Sequence, residues 1–438
     1  MDYKLDAVRR RFPSLSIEDA GVPRVYFDNP AGTQVPDVVV ERVSECLIQS
    51  NANMGGHFET SRRADRVIAD AHEAMADFLN AASASEIVFG QNMTTITLHI
   101  SRSIGRMLAR GDEIIVSRMD HDANVTPWTL LAEDLGLEVR WLPFDTESFE
   151  FDLAELQALL SPRTKLVCVG AASNLTGTIN DVKTVCRLAR DAGALTYIDA
   201  VQLAPHVAID VQDLGCDFLV CSAYKFFGPH QGILWGRLPL LESLTPYKVR
   251  PASPDPPYCF ETGTQSHEGM AGTAAAVDYF AWIGETMAQH LHDDNAEYPF
   301  RRRMIRSALQ YLFAYEQRLA AHLLSGLRSL PGVRIHGITD AAALDRRVPT
   351  VAFTVDGARP ADVAEALGER NIFVWSGHNY AVEVAKSLGI YDAGGAVRVG
   401  PVHYNGIDEI DRTLAALEDI LAEKSGAPIR PARQRAHR

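Results

Sequence analysis

Four stretches of this 438-residue chain place reactive side chains directly after apolar runs. In DFLVCSAYKFFGPHQGILWG (217–236), Lys225 follows a strand-like run and stands among Ser222, Tyr224, Phe226 and Phe227. Burial lowers the pKa of an ammonium group, and the free amine is a nucleophile toward an aldehyde. A lysine that snorkels from a strand end fits the same residues. In LTYIDAVQLAPH (195–206), Asp199 ends an apolar run, with Gln202 just beyond. A carboxylate there can pair with a protonated ring nitrogen and make the ring an electron sink; a helix N-cap is the plain alternative. In SRMDHDANVTPW (117–128), His121 follows IIVS, deep enough to stack on a flat ring or to serve as a structural histidine. In GQNMTTIT (90–97), the Thr94 and Thr95 hydroxyls open a helix whose N–H groups suit a phosphate. A threonine-capped helix explains that stretch equally well.

Something must bring these four stretches together. Runs of five to seven residues read as strands: EIVFG (86–90), DEIIVS (112–117), EVRWLP (138–143), KLVCVG (165–170), LTYIDA (195–200) and DFLVCSA (217–223). Helical patterns such as 94–108 and 182–192 lie between most of them. Alternation of helices with near-continuously apolar strands predicts an α/β domain whose mostly parallel sheet is covered by helices on both faces. Ligands of such sheets bind beyond the carboxyl ends of the strands, where all four stretches fall. RPASPDPPY (250–258) reads as an exposed loop. A long helical region runs from about 269 to 327, and the rest mixes strands (RVPTVAFTV, NIFVWS, AVRVG) with helices, which predicts a smaller α+β C-terminal domain. Leu5, Val8 and Phe12 share one helical face. The expected organisation is an N-terminal arm (1–24) packing on the small domain, a large domain (25–268), a small domain with its interdomain helix (269–424), and a disordered basic tail (425–438).

Composition narrows the class of function. The net charge of −14 argues against a nucleic-acid surface. No apolar run is long enough to span a membrane, and MDYKLDAVRRRFPSL is not a secretory signal, so a cytoplasmic location is expected. The six cysteines include no C-x-x-C pair and mostly sit in apolar stretches, which predicts buried, reduced, inert thiols. No metal is expected.

Longer runs carry a family resemblance. YFDNPAGTQVP (26–36), GDEIIVSRMDHDANVTPW (111–128), GAASNLTGTIN (170–180), YIDAVQLAPHVAIDVQDLGCDFLVCSAYKFFGP (197–229), FETGT (260–264) and VRVGPVHYNGIDEID (397–411) resemble the class V aminotransferase family. The likeness is to its cysteine desulfurase-like branch of fold-type I pyridoxal 5′-phosphate (PLP) enzymes. It implies that Lys225 is the Schiff-base lysine, that Asp199 pairs with the pyridine nitrogen and that His121 stacks on the ring. Gln202 would face the phenolic oxygen, and Asn174 would position cofactor or substrate. Thr94, Ser222 and Tyr224 would hold the phosphate, with Thr95 beside them; members usually have histidine where Tyr224 stands. Thr264 would reach the phosphate of a neighbouring subunit, which implies a homodimer. Arg398 would clamp the substrate α-carboxylate, a task suited to a guanidinium fork. His57, in NMGGHFETSRRAD (53–65), and Asn379 are further substrate-binding candidates.

One departure bears on the reaction. Related desulfurases carry a persulfide-forming cysteine in a loop reading roughly G-H-H-C-A, whereas here the loop is SGHNYAVEV (376–384) and no cysteine follows Cys259. Sulfur transfer through an enzyme thiolate would lack its nucleophile. The leading expectation is therefore a C–S lyase eliminating a thiol from an S-substituted cysteine. Alternatives are an aminotransferase, epimerase or decarboxylating deaminase, a cysteine desulfurase or selenocysteine lyase, and a non-catalytic PLP-binding scaffold. The substrate side chain is not legible.

Overall fold

The computed structural model describes residues 3–425, so the basic tail, apart from Ser425, lies outside the described residues. The large domain is built on seven strands: β1 (Ile87–Gly90), β2 (Glu113–Ser117), β3 (Glu138–Leu142), β4 (Thr164–Gly170), β5 (Leu195–Asp199), β6 (Phe218–Ser222) and β7 (Gly232–Gly236). Their order in the sheet is β1-β7-β6-β5-β4-β2-β3. All run in one direction except β7, which pairs antiparallel with both β1 and β6. Residues on β4 show why the strands read as unbroken apolar runs. Val167 and Val169 pack into the core on one face, while Leu166 and Cys168 pack into the core on the other. Both faces are dry, so no alternation survives in the sequence. Each fully buried valine or leucine side chain contributes about 1.5–3 kcal/mol.

Six of the seven strands coincide with the predicted runs, and β7 is the addition. GILWG has five residues and follows β6 without the helix that usually separates parallel strands. A hairpin-like return of that kind is what makes it antiparallel. Gly232 on β7 has a packing reason. A Cβ there would meet the backbone of Asn92 at 2.4–2.8 Å, so glycine lets β7 pass close under the N-terminus of α1 (Met93–Gly105).

The long helical region from about 269 consists of α2 (His267–Met287) and α3 (Phe300–Ser329), separated by two short 3₁₀ turns at Gln289–Leu291 and Asp293–Asn295. Beyond them β8 (Val333–His336), β9 (Val351–Val355), β10 (Trp375–Gly377) and β11 (Ala396–Val399) form an antiparallel sheet in the order β8-β9-β11-β10. The final described helix, α4 (Ile407–Ser425), packs against α3. A separate core seals this part, and Val25 and Phe27 belong to it. Val25–Tyr26 pairs in parallel with Ile372–Phe373, so the chain enters the large domain only after it has touched the small one. The N-terminal segment packs at the seam between the two parts. Tyr3 stacks on Tyr315 at 3.6 Å, and Phe12 lies among Phe227, Tyr279, His403 and Tyr404. No helix among the described residues is long and apolar enough to cross a membrane.

Candidate active site

The carboxyl ends of neighbouring strands converge on one cavity of about 550 Å³. Its lining includes Thr94 after β1, His121 after β2, Asn174 after β4, Asp199 and Gln202 at the end of β5, and Ser222, Tyr224 and Lys225 at the end of β6. Sheet register explains the convergence. Gly170 pairs with Asp199, and Asp199 with Val220, so the chain segments leaving three adjacent strands stand side by side. A smaller cavity of about 230 Å³ shares Gln202 and Lys225 with the first and is closed by His206 and Thr350.

Lys225 is partly buried in the wall between the two cavities. Its Nζ donates to the carbonyls of Pro30 at 2.6 Å and Ala31 at 2.7 Å. Burial, then the nearby Arg398 charge, lowers its pKa to about 7, so a large fraction of the amine is uncharged at neutral pH. Asp199 is buried and accepts from Val201 N–H at 2.9 Å. Burial raises its pKa to about 6, against the weaker pull of Lys225. His121 accepts from Ala123 N–H on Nδ1 at 3.0 Å, and burial holds its pKa at about 3, so the ring is neutral. Gln202 donates to Thr350 Oγ1 at 3.0 Å, and Ser222 Oγ accepts the Met93 N–H at 3.1 Å at the start of α1.

Arg398 is buried on β11 and reaches the site from the small domain. Its Nη1 donates to the Asn174 carbonyl at 3.1 Å, its Nη2 faces Asp28 Oδ1 at 3.4 Å, and its Nε has no partner among the described residues. Asn379 is also buried; its carbonyl accepts from Asn174 Nδ2 at 2.7 Å. Five candidates do not line the cavity of their own chain: Arg398 and Asn379, which stand beside it bonded to Asn174, and Thr95, His57 and Thr264. Thr95 is exposed, and both its N–H and its hydroxyl are engaged by the Asn92 side chain that caps α1. His57 is exposed just before the helix Glu59–Leu79, and Thr264 is exposed on the loop before α2.

Two polar lining residues, Asp120 and Asn180, are absent from the sequence-based candidates. Asp120 is buried, receives Gly170 N–H at 2.9 Å and Asn124 Nδ2 at 2.6 Å, and has its pKa raised by burial to about 7. Its position directly before His121 is the signal that could have found it. Asn180 donates to the Gly170 carbonyl at 2.8 Å, while its Oδ1 has no partner among the described residues. All six cysteines are buried, none lines the cavity, and burial pushes every thiol above its ordinary range.

The donor set suits PLP. An uncharged amine can meet an aldehyde, a buried carboxyl can meet a ring nitrogen, and hydroxyls gather at a helix N-terminus where a phosphate is favoured. The partnerless Asn174 Oδ1, Asn180 Oδ1 and Arg398 Nε are buried polar atoms of the kind a bound polar molecule would satisfy.

The class-V aminotransferase family matches residues 25–302 and 303–413. A cysteine desulfurase of Pectobacterium carotovorum subsp. carotovorum (strain PC1) is 32% identical, over 96% of this chain and 98% of that one. The solved apo structure of a cysteine desulfurase from Thermococcus onnurineus NA1 superposes with a TM-score of 0.83 at 29% identity, covering 97% and 99% of the two chains. A cysteine desulfurase from Escherichia coli gives 0.80 at 26% identity, covering 96% and 99%. With the matched residues spanning nearly the whole fold, the chain belongs to the class-V aminotransferase family and is a PLP-dependent enzyme of fold type I.

Proposed function

We propose that the protein cleaves the C–S bond of a cysteine-type α-amino acid, in the manner of a cysteine desulfurase. The observation that carries this reading is similarity to desulfurases along almost the entire chain, on a cavity built around Lys225 and Asp199. When bound, PLP supplies an aldehyde and an electron sink that weakens the bonds at Cα. Lys225 would hold the cofactor through its amine, and its Nζ would take and return the Cα proton. Asp199 would hold a proton at the ring nitrogen. His121 would cover the ring face, Gln202 would address the phenolic oxygen, and Thr94, Ser222 and Tyr224 would hold the phosphate. Arg398 fixes the substrate carboxylate so that the scissile bond is oriented, which gives Arg398 Nε a partner. Exposed Thr264 and His57 fit a homodimer in which each faces the neighbour's site; a sedimentation mass of one chain would overturn that arrangement.

Sulfur leaving cysteine needs an acceptor, and Tyr380 stands in the loop where related desulfurases have their thiol. With the chain's own thiols all buried, the acceptor is an external thiol. The Cβ–S bond breaks, the sulfur joins the acceptor sulfur as a persulfide, and the carbon skeleton takes up a proton to leave as alanine. The thiol-free cavity also favours a second reading, β-elimination from an S-substituted cysteine, in which the substituent leaves as a thiol and water converts the skeleton to pyruvate and ammonia. On sequence alone that reading leads; the similarity to desulfurases puts it second. Cysteine with excess dithiothreitol, and S-methyl-L-cysteine in parallel, separate the two. Alanine and sulfide from cysteine support desulfuration, pyruvate from either substrate supports elimination, and neither product overturns C–S cleavage.

A further inference from the structure

The segment 376–391 carries rings that the chemistry above leaves unused. Tyr380 lies flat against His121, with centroids 5.3 Å and planes 15° apart. His378 meets Tyr380 edge-on at 6.1 Å and stacks on Tyr391 at 5.6 Å. His121 lines the Lys225 cavity, so Tyr380 stands directly against a lining residue, with the other two rings beyond it. Tyr380 is 66% exposed and Tyr391 39% exposed, so much of their ring surface faces solvent. Aromatic surface left open beside a cavity is the usual material of a ligand contact.

The segment is firmly placed. Tyr380 O accepts from Asp122 N–H at 2.8 Å, Asn379 O accepts from Asn174 Nδ2 at 2.7 Å, and Tyr380 N–H donates to His378 Nδ1 at 3.1 Å. Asn379 and Tyr380 have φ of 52° and 59°. Tyrosine rarely adopts that left-handed conformation, and here the contacts to the large domain impose it. In this conformation the Tyr380 ring lies against His121. The nearby cations do not offer a charge to an acidic side chain. Arg118 and Lys386 are both paired with Glu383, the latter at 2.9 Å.

We propose that Tyr380, His378 and Tyr391 form a side-chain subsite that selects amino acids carrying an uncharged, planar, π-rich group beyond Cβ. Tyr380 is its floor, with one face held by His121 and the rest open to the incoming ring. Offset or edge-on stacking supplies the preference. The inference rests on the amino-acid reading of the Lys225 cavity but not on which bond breaks there.

The test is a titration of the PLP-loaded enzyme with L-phenylalanine and with L-leucine, followed by the visible absorbance of the cofactor. L-Phenylalanine is expected to bind more tightly by about fivefold, the scale of one aromatic pair. Tyr380→Ala should abolish that ratio and Tyr380→Phe should keep it. Should Tyr380→Ala not load cofactor, His378→Ala serves as the second variant and should lower the ratio. Equal binding of the two amino acids by the wild type, or a ratio unchanged in the alanine variants, overturns the subsite. If the ratio behaves as expected but no sulfur substrate is cleaved, the subsite stands and the C–S reading falls. If cysteine is turned over without any aromatic preference, C–S cleavage stands and the subsite falls.

Discussion

The site has two sides, or walls, made by different means: one lines the cavity and the other stands beside it. On the large-domain side, Asp199, Ser222 and Lys225 sit at the ends of adjacent strands, and the ladder between those strands sets their spacing. On the small-domain side, Arg398, Asn379 and Tyr380 are placed by contacts across the seam, such as Arg398 to the Asn174 carbonyl and Tyr380 to His121. A wall set by sheet register is rigid and suits bond chemistry. A wall set by contacts across the seam, with Asn379 and Tyr380 on the loop after β10, can vary without disturbing the large sheet, and suits recognition. Two of the partnerless buried atoms, Asn379 Oδ1 and Arg398 Nε, belong to that second wall. Each unmet buried group costs about 1–3 kcal/mol, which a bound substrate would offset.

Substitutions test the division between the walls. Lys225→Ala should have the largest effect: turnover falls by at least about a thousandfold, and borohydride no longer fixes the cofactor to the chain by mass spectrometry. Arg398→Ala should weaken amino-acid binding by roughly ten- to a hundredfold, the loss of a charged hydrogen-bonding pair, with the cofactor's visible absorbance unchanged. If that absorbance disappears, recognition and chemistry do not divide between the walls.

The largest upward carboxyl shifts lie on the sheet wall. The pKa of Asp199 is raised from the ordinary 3.8 to about 6, so between those values the folded chain keeps a proton that the unfolded chain releases. Stability of the cofactor-free protein should therefore fall as pH rises from about 4 to about 6, by ~3 kcal/mol from this group. Asp120, raised to about 7, acts in the same direction. Carboxylates held low, such as Glu316 and Asp210, act in the opposite direction, so the test is the difference in urea-unfolding slope between the wild type and Asp199→Asn across that range; identical slopes would refute the assignment. The smallest effect expected is none. Iodoacetamide should leave turnover intact, with thiols reacting only after denaturation, because all six are buried.

The same division explains what is legible in the sequence. Lys225, Asp199, Ser222 and His121 end or follow long apolar runs, and strand ends are legible because a strand covered on both faces leaves a continuous signature. β7 is harder to see because GILWG is short and returns directly after the Lys225 turn. Asp120 hides beside His121, whose ring is the more conspicuous chemistry in the same stretch. Thr95 looks like a phosphate ligand because it adjoins Thr94, but one residue along a helix is a rotation of about 100°, and Asn92 takes its hydroxyl instead. His57 and Thr264 lie on loops, whose positions no periodicity encodes. Tyr380 is visible in the sequence as a departure, yet its contact with His121 depends on packing across the seam.

Residues 28–31 make one stretch answer to both walls. Asp28 faces Arg398, and two and three residues later the Pro30 and Ala31 carbonyls hold Lys225. A substrate that draws Arg398 away from Asp28 pulls on the same short ribbon that cradles the nucleophile's nitrogen. On the roles proposed for Arg398 and Lys225, arrival of a carboxylate and release of the amine would both act on these four consecutive residues.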